Sequence, residues 1–157
     1  MLVRTYQQRV YWHARKMVID HDDADDITQE VFIKIHKSIE TFREDSQLFT
    51  WIYRIATNEC LNFLNKKKRR FFLPLEDVSA QLIAKFDSSD NISGDEIQRK
   101  LQKAILRLPD KQRLVFNMKY FDDIPYEAMS EITGTSVGAL KASYHHAVKK
   151  IEEYLTA

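Results

Sequence analysis

The sequence predicts an all-α fold, with two small helical domains joined by a flexible acidic linker and a helix-turn-helix in the second domain. Three observations carry this. The 157 residues contain only three Gly and three Pro among many Lys, Glu, Leu, Ile and Ala, a composition that favours helix. Apolar residues recur at three- and four-residue steps through several runs. Charge is segregated along the chain. The net charge is +1, yet residues 1–70 carry 13 Lys/Arg against 10 Asp/Glu, residues 71–96 carry 1 against 6, and residues 97–157 carry 10 against 7. These divisions set the expected units: a first block over 1–70, a linker over 71–96 and a second block over 97–157. Two mildly basic blocks around an acidic stretch suit a polyanion bound at both ends.

In the first block, Val3, Tyr6, Val10, Ala14, Met17 and Val18 form one helical stripe, which "DHDD" at 20–23 interrupts. Asp22 is placed to cap the next helix, with Asp25 three residues on. That helix turns Ala24, Ile27, Val31, Ile35 and Ile39 inward and Asp26, Gln29, Glu30, Ile33 and Lys37 outward. A polar turn, "ETFREDSQLF", leads to a third helix over about Thr50 to Lys66. Its inner side is Ile52, Tyr53, Ala56, Cys60, Phe63 and Leu64. Its outer row is Trp51, Arg54, Asn58, Asn62 and Asn65, ending in Lys66–Arg70, with Lys66 and Arg69 the candidate phosphate contacts. An aromatic ring, a guanidinium and carboxamides are groups that stack on unpaired bases and bond base edges. A solvated helix face with a partly covered Trp51 is the competing reading of this row.

Periodicity fades over "FFLPLEDVSAQLIAKFDSSDNISGDE", which contains Pro74, a Ser/Asp-rich centre and Gly94. It reads as a linker with one short helix near Val78–Phe86. The second block opens with a helix near Ile97–Leu106. Pro109 sits just inside the next helix start, where Leu114, Val115, Met118 and Tyr120 or Phe121 cover the core. "IPYEAMSEITG" gives a short helix with Tyr126, Met129 and Ile132 inward, ended by Gly134 in a left-handed conformation. Ser136 caps the last helix, whose buried stripe is Val137, Leu140, Tyr144, Ala147, Val148, Ile151 and Leu155. Its opposite face runs from Gly138, Ala139 and Ala142 to His145, His146 and Lys149, with Lys141 and Ser143 beside it. A Gly inside a helix costs about 1 kcal/mol against Ala. Spent on an exposed face, that cost points to something approaching closely. A helix-turn-helix enters the major groove by the N-terminal end of its second helix.

Several function classes drop out. A lone Cys60 excludes a disulfide framework within the chain, no apolar run approaches ~18 residues, and no signal-peptide order precedes the first helix; a reducing cytoplasm is the expected compartment. Asp22, Asp23, Asp25 and Asp26 span about one helical turn and diverge, so they make no metal-dependent nuclease site. His145 and His146, adjacent on a helix, point about 100° apart and form no metal pair. Neither a metal, a cofactor nor an enzymatic activity is expected.

"DDADDITQEVFIKIHKSIETFREDSQLFTWIYRIATNECLNFLNKKKRR" resembles region 2 of the extracytoplasmic-function sigma factors of bacterial RNA polymerase, and "LPDKQRLVFNMKYFDDIPYEAMSEITGTSVGALKASYHHAVKKI" resembles their region 4. The resemblance implies an alternative sigma factor that binds core polymerase and directs it to −35 and −10 promoter elements, opening the latter. Asp26, Gln29 and Glu30 match the family's D-x-x-Q-E contact with the clamp helices of the largest subunit, with Ile33 on the same face. The turn from Phe42 to Phe49 and the stripe of Trp51, Asn58 and Asn62 match the part that opens the −10 element and captures an unstacked base. Ser136, Gly138, Lys141 and Ser143 fall where the family reads the −35 element. The acidic linker matches the segment threading toward the RNA exit path. Implied partners are core polymerase, including the flap of its second-largest subunit, promoter DNA and an anti-sigma factor, on the nucleoid and without membrane insertion.

Two departures stand out. Many members carry an Arg where this chain has Ala142–Ser143, so that contact is absent or moves to His145. The first helix begins close to Met1, where the family has further residues, which implies a shortened N-terminal helix. A stand-alone helix-turn-helix regulator is the alternative reading, and it leaves the outer faces of the second and third helices without a purpose.

Overall fold

The computed structural model describes residues 2–42, 47–71, 75–88 and 95–156. The described helices are α1 (Leu2–Val18), α2 (His21–Ser38), α3 (Leu48–Phe71), α4 (Leu75–Asp87), α5 (Glu96–Leu106), α6 (Asp110–Tyr120), α7 (Tyr126–Thr133) and α8 (Val137–Thr156), with a 3-10 turn at Ile39–Thr41. No strand occurs among the described residues. Part of the expected turn before α3 (43–46) and parts of the expected linker (72–74 and 89–94, Gly94 included) lie outside them, as do the side chains of Val3 and Val78.

Helix ends follow local chemistry. Ile19 closes α1 with φ 69°, a left-handed conformation that costs a β-branched residue about 1–2 kcal/mol. Arg15 offsets part of this: its carbonyl accepts the Ile19 N–H at 2.8 Å and its Nε donates to the Ile19 carbonyl at 2.5 Å. The turn starts α2 at His21, so the cap is Asp20, whose Oδ2 accepts from the Asp23 N–H at 3.1 Å. This corrects the assignment of the cap to Asp22, which instead lies exposed in the first turn, where its charge suits the helix dipole. Pro109 is the N-cap of α6 rather than its first residue. Gly134 ends α7 at φ 74°, and the Ser136 hydroxyl accepts from the Ala139 N–H at 3.2 Å to start α8.

One apolar core runs through both halves. Val10, Ala14 and Met17 of α1, Val31 and Ile35 of α2, and Ile52, Ala56, Cys60 and Leu64 of α3 join Leu114 and Met118 of α6, Met129 and Ile132 of α7 and Leu140 of α8. The physical reason is the width of the α3 stripe: α1 and α2 cover part of it and α7 covers more. A second cluster holds Ala104, Ile105, Leu108, Phe116, Ala147 and Ile151. The centre of the expected linker is folded as α4, whose buried Leu82 and Phe86 pack with Leu106 and Ile19.

Ile39 and Leu155, both expected inside, lie outside, and so do both Tyr120 and Phe121, of which the sequence sets one or the other on the core. Ile39 is 41 % exposed because the tighter 3-10 turn after α2 rotates it outward, and Leu155 is 43 % exposed in the last turn of α8. Tyr120 and Phe121 are 55 % and 37 % exposed. Phe116 takes their expected place, and their rings lie against it at 5.1 and 6.2 Å.

Candidate functional site

The outer face of α2 is polar apart from Ile33. Asp26, Gln29, Glu30 and Ile33 are all exposed, while Ala24, Ile27, Val31 and Ile35 are buried beneath them. The carboxylates of Asp26 and Glu30 make no ion pair among the described residues, and Gln29 donates to Asp25 at 3.2 Å. A groove of about 480 Å³ lined by Gln7, Asp25, Thr28, Gln29, Phe32 and Ile33 runs beside them, between α1 and α2. Its lining is apolar at Phe32 and Ile33 and carries one carboxylate, that of Asp25.

On α3, Arg54, Asn58, Asn62, Lys66 and Arg69 are exposed along one face, with Asn65 beside them. Asn58 and Asn62 make no hydrogen bond among the described residues, so their donors and acceptors are open to a ligand. Trp51 differs from the rest of the row. It is half-buried, its ring 5.2 Å from that of Phe42, so it packs against the protein as well as facing out. Lys68 is diverted: its Nζ lies 2.6 Å from Asp110 Oδ2 of α6.

The α8 face opens with Ser136, Gly138, Ala139 and Lys141, all exposed. A Cβ added at Gly138 would meet nothing within 4 Å, so the protein's own packing does not require glycine there. Lys141 Nζ lies 5.7 Å from the Tyr126 ring centre, steadied by the preceding helix. Ser143 is half-buried, and His145 and Lys149 are exposed further along. The predicted residues fall on three helices, and α2, α3 and α8 each present their own face.

Between the halves lies a polar seam that the sequence did not reveal. Arg113 is fully buried. Its guanidinium donates to the Leu108 carbonyl at 3.2 Å and, across the seam, to the Met17 carbonyl at 3.0 Å, with Asp110 Oδ1 at 3.4 Å. Lys16 pairs with Asp122 at 2.8 Å. His13, also buried, shares a hydrogen bond of 3.1 Å with the Thr57 hydroxyl and faces the Tyr53 ring at 4.8 Å. Burial pushes the His13 imidazole down to about 4; Asp122 opposes that shift and Lys16 adds to it. Burial also raises the Cys60 thiol to about 12, with Glu59 contributing. Arg113 and Asn117, four residues apart within an apolar run, were the available signal of buried polar chemistry on α6. Their partner Met17, 96 and 100 residues away, left no local trace.

Comparison with known proteins gives the family and the fold. Residues 2–70 match the family model described as Sigma-70 region 2, and residues 98–151 match that described as Sigma-70, region 4. The chain is 30 % identical to the ECF RNA polymerase sigma-E factor of Haemophilus influenzae, an alignment covering 97 % of this chain and 84 % of that protein. It is 29 % identical to the ECF RNA polymerase sigma factor SigW of Bacillus subtilis, over 98 % of this chain and 87 % of the relative. The fold is similar to that of the sigma factor RpoE of Bartonella quintana, solved with the anti-sigma factor NepR (TM-score 0.74, 20 % identity, 99 % of this chain and 94 % of that one). It is also similar to CnrH, solved with the cytosolic domain of CnrY (TM-score 0.69, 19 % identity, 99 % and 85 %). With both sigma regions matched in order along one chain, and a relative at this identity aligned over most of its length, the chain belongs to the extracytoplasmic-function sigma factors of the sigma-70 family.

Proposed function

We propose that this alternative sigma factor divides transcription initiation among its three exposed faces. Asp26, Gln29, Glu30 and Ile33 on α2 bind the clamp helices of the polymerase largest subunit. Trp51, Arg54, Asn58, Asn62, Lys66 and Arg69 on α3 open and hold the −10 element. Ser136, Gly138, Ala139, Lys141, Ser143, His145 and Lys149 on α8 read the −35 element. The second block also meets the flap of the second-largest subunit, and an anti-sigma factor binds the chain, in line with the similar RpoE solved in complex with the anti-sigma factor NepR. The protein acts by binding energy alone, with no catalytic residue, on the nucleoid in the cytoplasm.

The observation that carries this reading is the conjunction on one chain of an unpaired acidic face on α2 with an open carboxamide row on α3. A stand-alone DNA-binding regulator needs α8 and neither of these. The test is initiation reconstituted from core polymerase and this chain. Transcripts should start at defined promoters only when the chain is present. Glu30→Lys, which reverses an exposed charge with no role in the core, should abolish them with the melting temperature unchanged. Start sites that do not depend on the chain would reject the reading.

A further inference from the structure

The outer face of α1 has no part in the initiation reading. Gln8, Arg9, Trp12 and Lys16 recur at three- and four-residue steps, so they share one side of the helix, opposite Val10, Ala14 and Met17 of the core. Trp12 is 54 % exposed, and its ring meets the edge of Tyr11 at 5.2 Å. Neither its indole N–H nor the Gln8 carboxamide makes a hydrogen bond among the described residues. Tryptophan is highly buried on average, so one held this far out invites a partner. Beside it lies a groove of about 270 Å³ lined by Gln8, Arg9, Trp12, Tyr53 and Asp122. At ~30 Å³ per water it has room for about nine waters, and hence for one nucleobase.

We propose that this groove is a second single-strand subsite, in which Trp12 stacks on an unpaired base of the opened promoter while Arg9 and Lys16 take its phosphates. It rests on the initiation reading above and adds a further helix to it. The base held here neighbours the one captured on α3.

The chemistry of the stripe selects nucleic acid. Indole, guanidinium, carboxamide and ammonium together stack on bases, bond base edges and neutralise phosphates, and they repeat the groups of the α3 row. A protein interface is depleted of charge at its core, whereas here charged and carboxamide groups surround the ring. Continuity with α3 selects the opened promoter strand. Arg9 lies 4.4 Å from the Phe49 ring centre and 6.0 Å from that of Tyr53, and those two rings stack at 4.5 Å. Phe49 stands two residues before Trp51 at the start of α3. A strand held at Trp51 therefore reaches Arg9 by crossing a helix ~10 Å wide, the span of a few nucleotides. The groove also seats an anion already: Asp122 pairs with Lys16 at 2.8 Å, and a backbone phosphate offers that ammonium the same charge. Both anchors cost little entropy to engage, because Arg9 is fixed on its ring stack and an indole has few torsions to lose.

The test reads stacking directly. Core polymerase carrying wild type, Trp12→Ala or Trp12→Phe is bound to a promoter opened beforehand by a mismatch bubble at −10, with 2-aminopurine placed in turn at each position of the bubble. Because Trp12 lies outside the core, the three chains should melt alike. With wild type, a position next to the base captured on α3 should be quenched. Trp12→Ala should restore its fluorescence and shorten the life of the open complex about tenfold, and Trp12→Phe, which keeps a ring, should retain the quenching. A quenching profile for Trp12→Ala that superimposes on wild type would overturn the subsite and leave the initiation reading intact. Weaker assembly of Trp12→Ala with core polymerase at an unchanged profile would overturn it too, by placing Trp12 on a protein. A wild-type holoenzyme that makes no transcript even from the bubble template would strike the initiation reading itself, and the subsite would fall with it.

Discussion

His13 is an ordinary imidazole in sequence and an unusual one in place. It is 1 % exposed, its Nε2 is occupied by Thr57, and its Nδ1 has no partner. Burial lowers its pKa from the ordinary 6.5 to about 4. The unfolded chain therefore binds that proton more tightly, and acid favours unfolding. Stability tied to His13 should be fully present above about pH 6.5 and lost as pH falls toward 4, amounting to as much as ~3 kcal/mol. Urea unfolding of wild type and His13→Gln across that window checks this: the variant should lose distinctly less stability on acidification, and parallel losses would refute it. His13 stands three residues after Val10 and four before Met17, so helical spacing sets it on the buried stripe of α1. Its polar type kept it out of the expected apolar set, and the packing of α3 onto α1 supplies its Thr57 partner.

At the scale of elements, the sequence was legible wherever local chemistry decides. The left-handed Gly134, the Ser136 cap and the inward Met129 and Ile132 follow from residue type and spacing, and so does the split of α2 into buried and exposed faces. Legibility failed where distant parts decide. Asp20 rather than Asp22 caps α2 because Ile19 takes an improbable conformation against α4, and the apolar stripe of α2 ends early because the 3-10 turn rotates Ile39 outward. The same distinction shapes what Gly138 should do. Its added Cβ meets nothing, and leucine is a better helix former by about 0.8 kcal/mol, so Gly138→Leu should leave the melting temperature equal or higher. If α8 docks by its early turns, the bulk should still lower −35 affinity by tenfold or more in a gel-shift titration. Unchanged affinity would show that this face does not enter the groove.

At the scale of the molecule, the two halves are tied by the common core, the buried Arg113 and α4, while the exposed faces of α2 and α8 stay outside these ties. The candidate faces could be read from sequence because each sits on a single helix. The seam could not, because Lys16–Asp122 and Lys68–Asp110 join residues with no periodic relation. The central claim is that the α3 face opens DNA rather than merely holding it. Stacking on an aromatic ring is worth roughly 1–3 kcal/mol per base, and extruding a base costs a few kcal/mol, so this face is of the right size to tip melting without dominating affinity. Because Trp51 also packs on Phe42, the exposed Asn62 is the cleaner probe. The deciding measurement is initiation by reconstituted polymerase carrying wild type, Trp51→Ala or Asn62→Ala, on a duplex promoter and on the same promoter with a mismatch bubble at −10. Both variants should fall about tenfold or more on the duplex and return to within about twofold of wild type on the bubble. An equal deficit on both templates would contradict a melting role and leave the row as a packing and phosphate-binding surface.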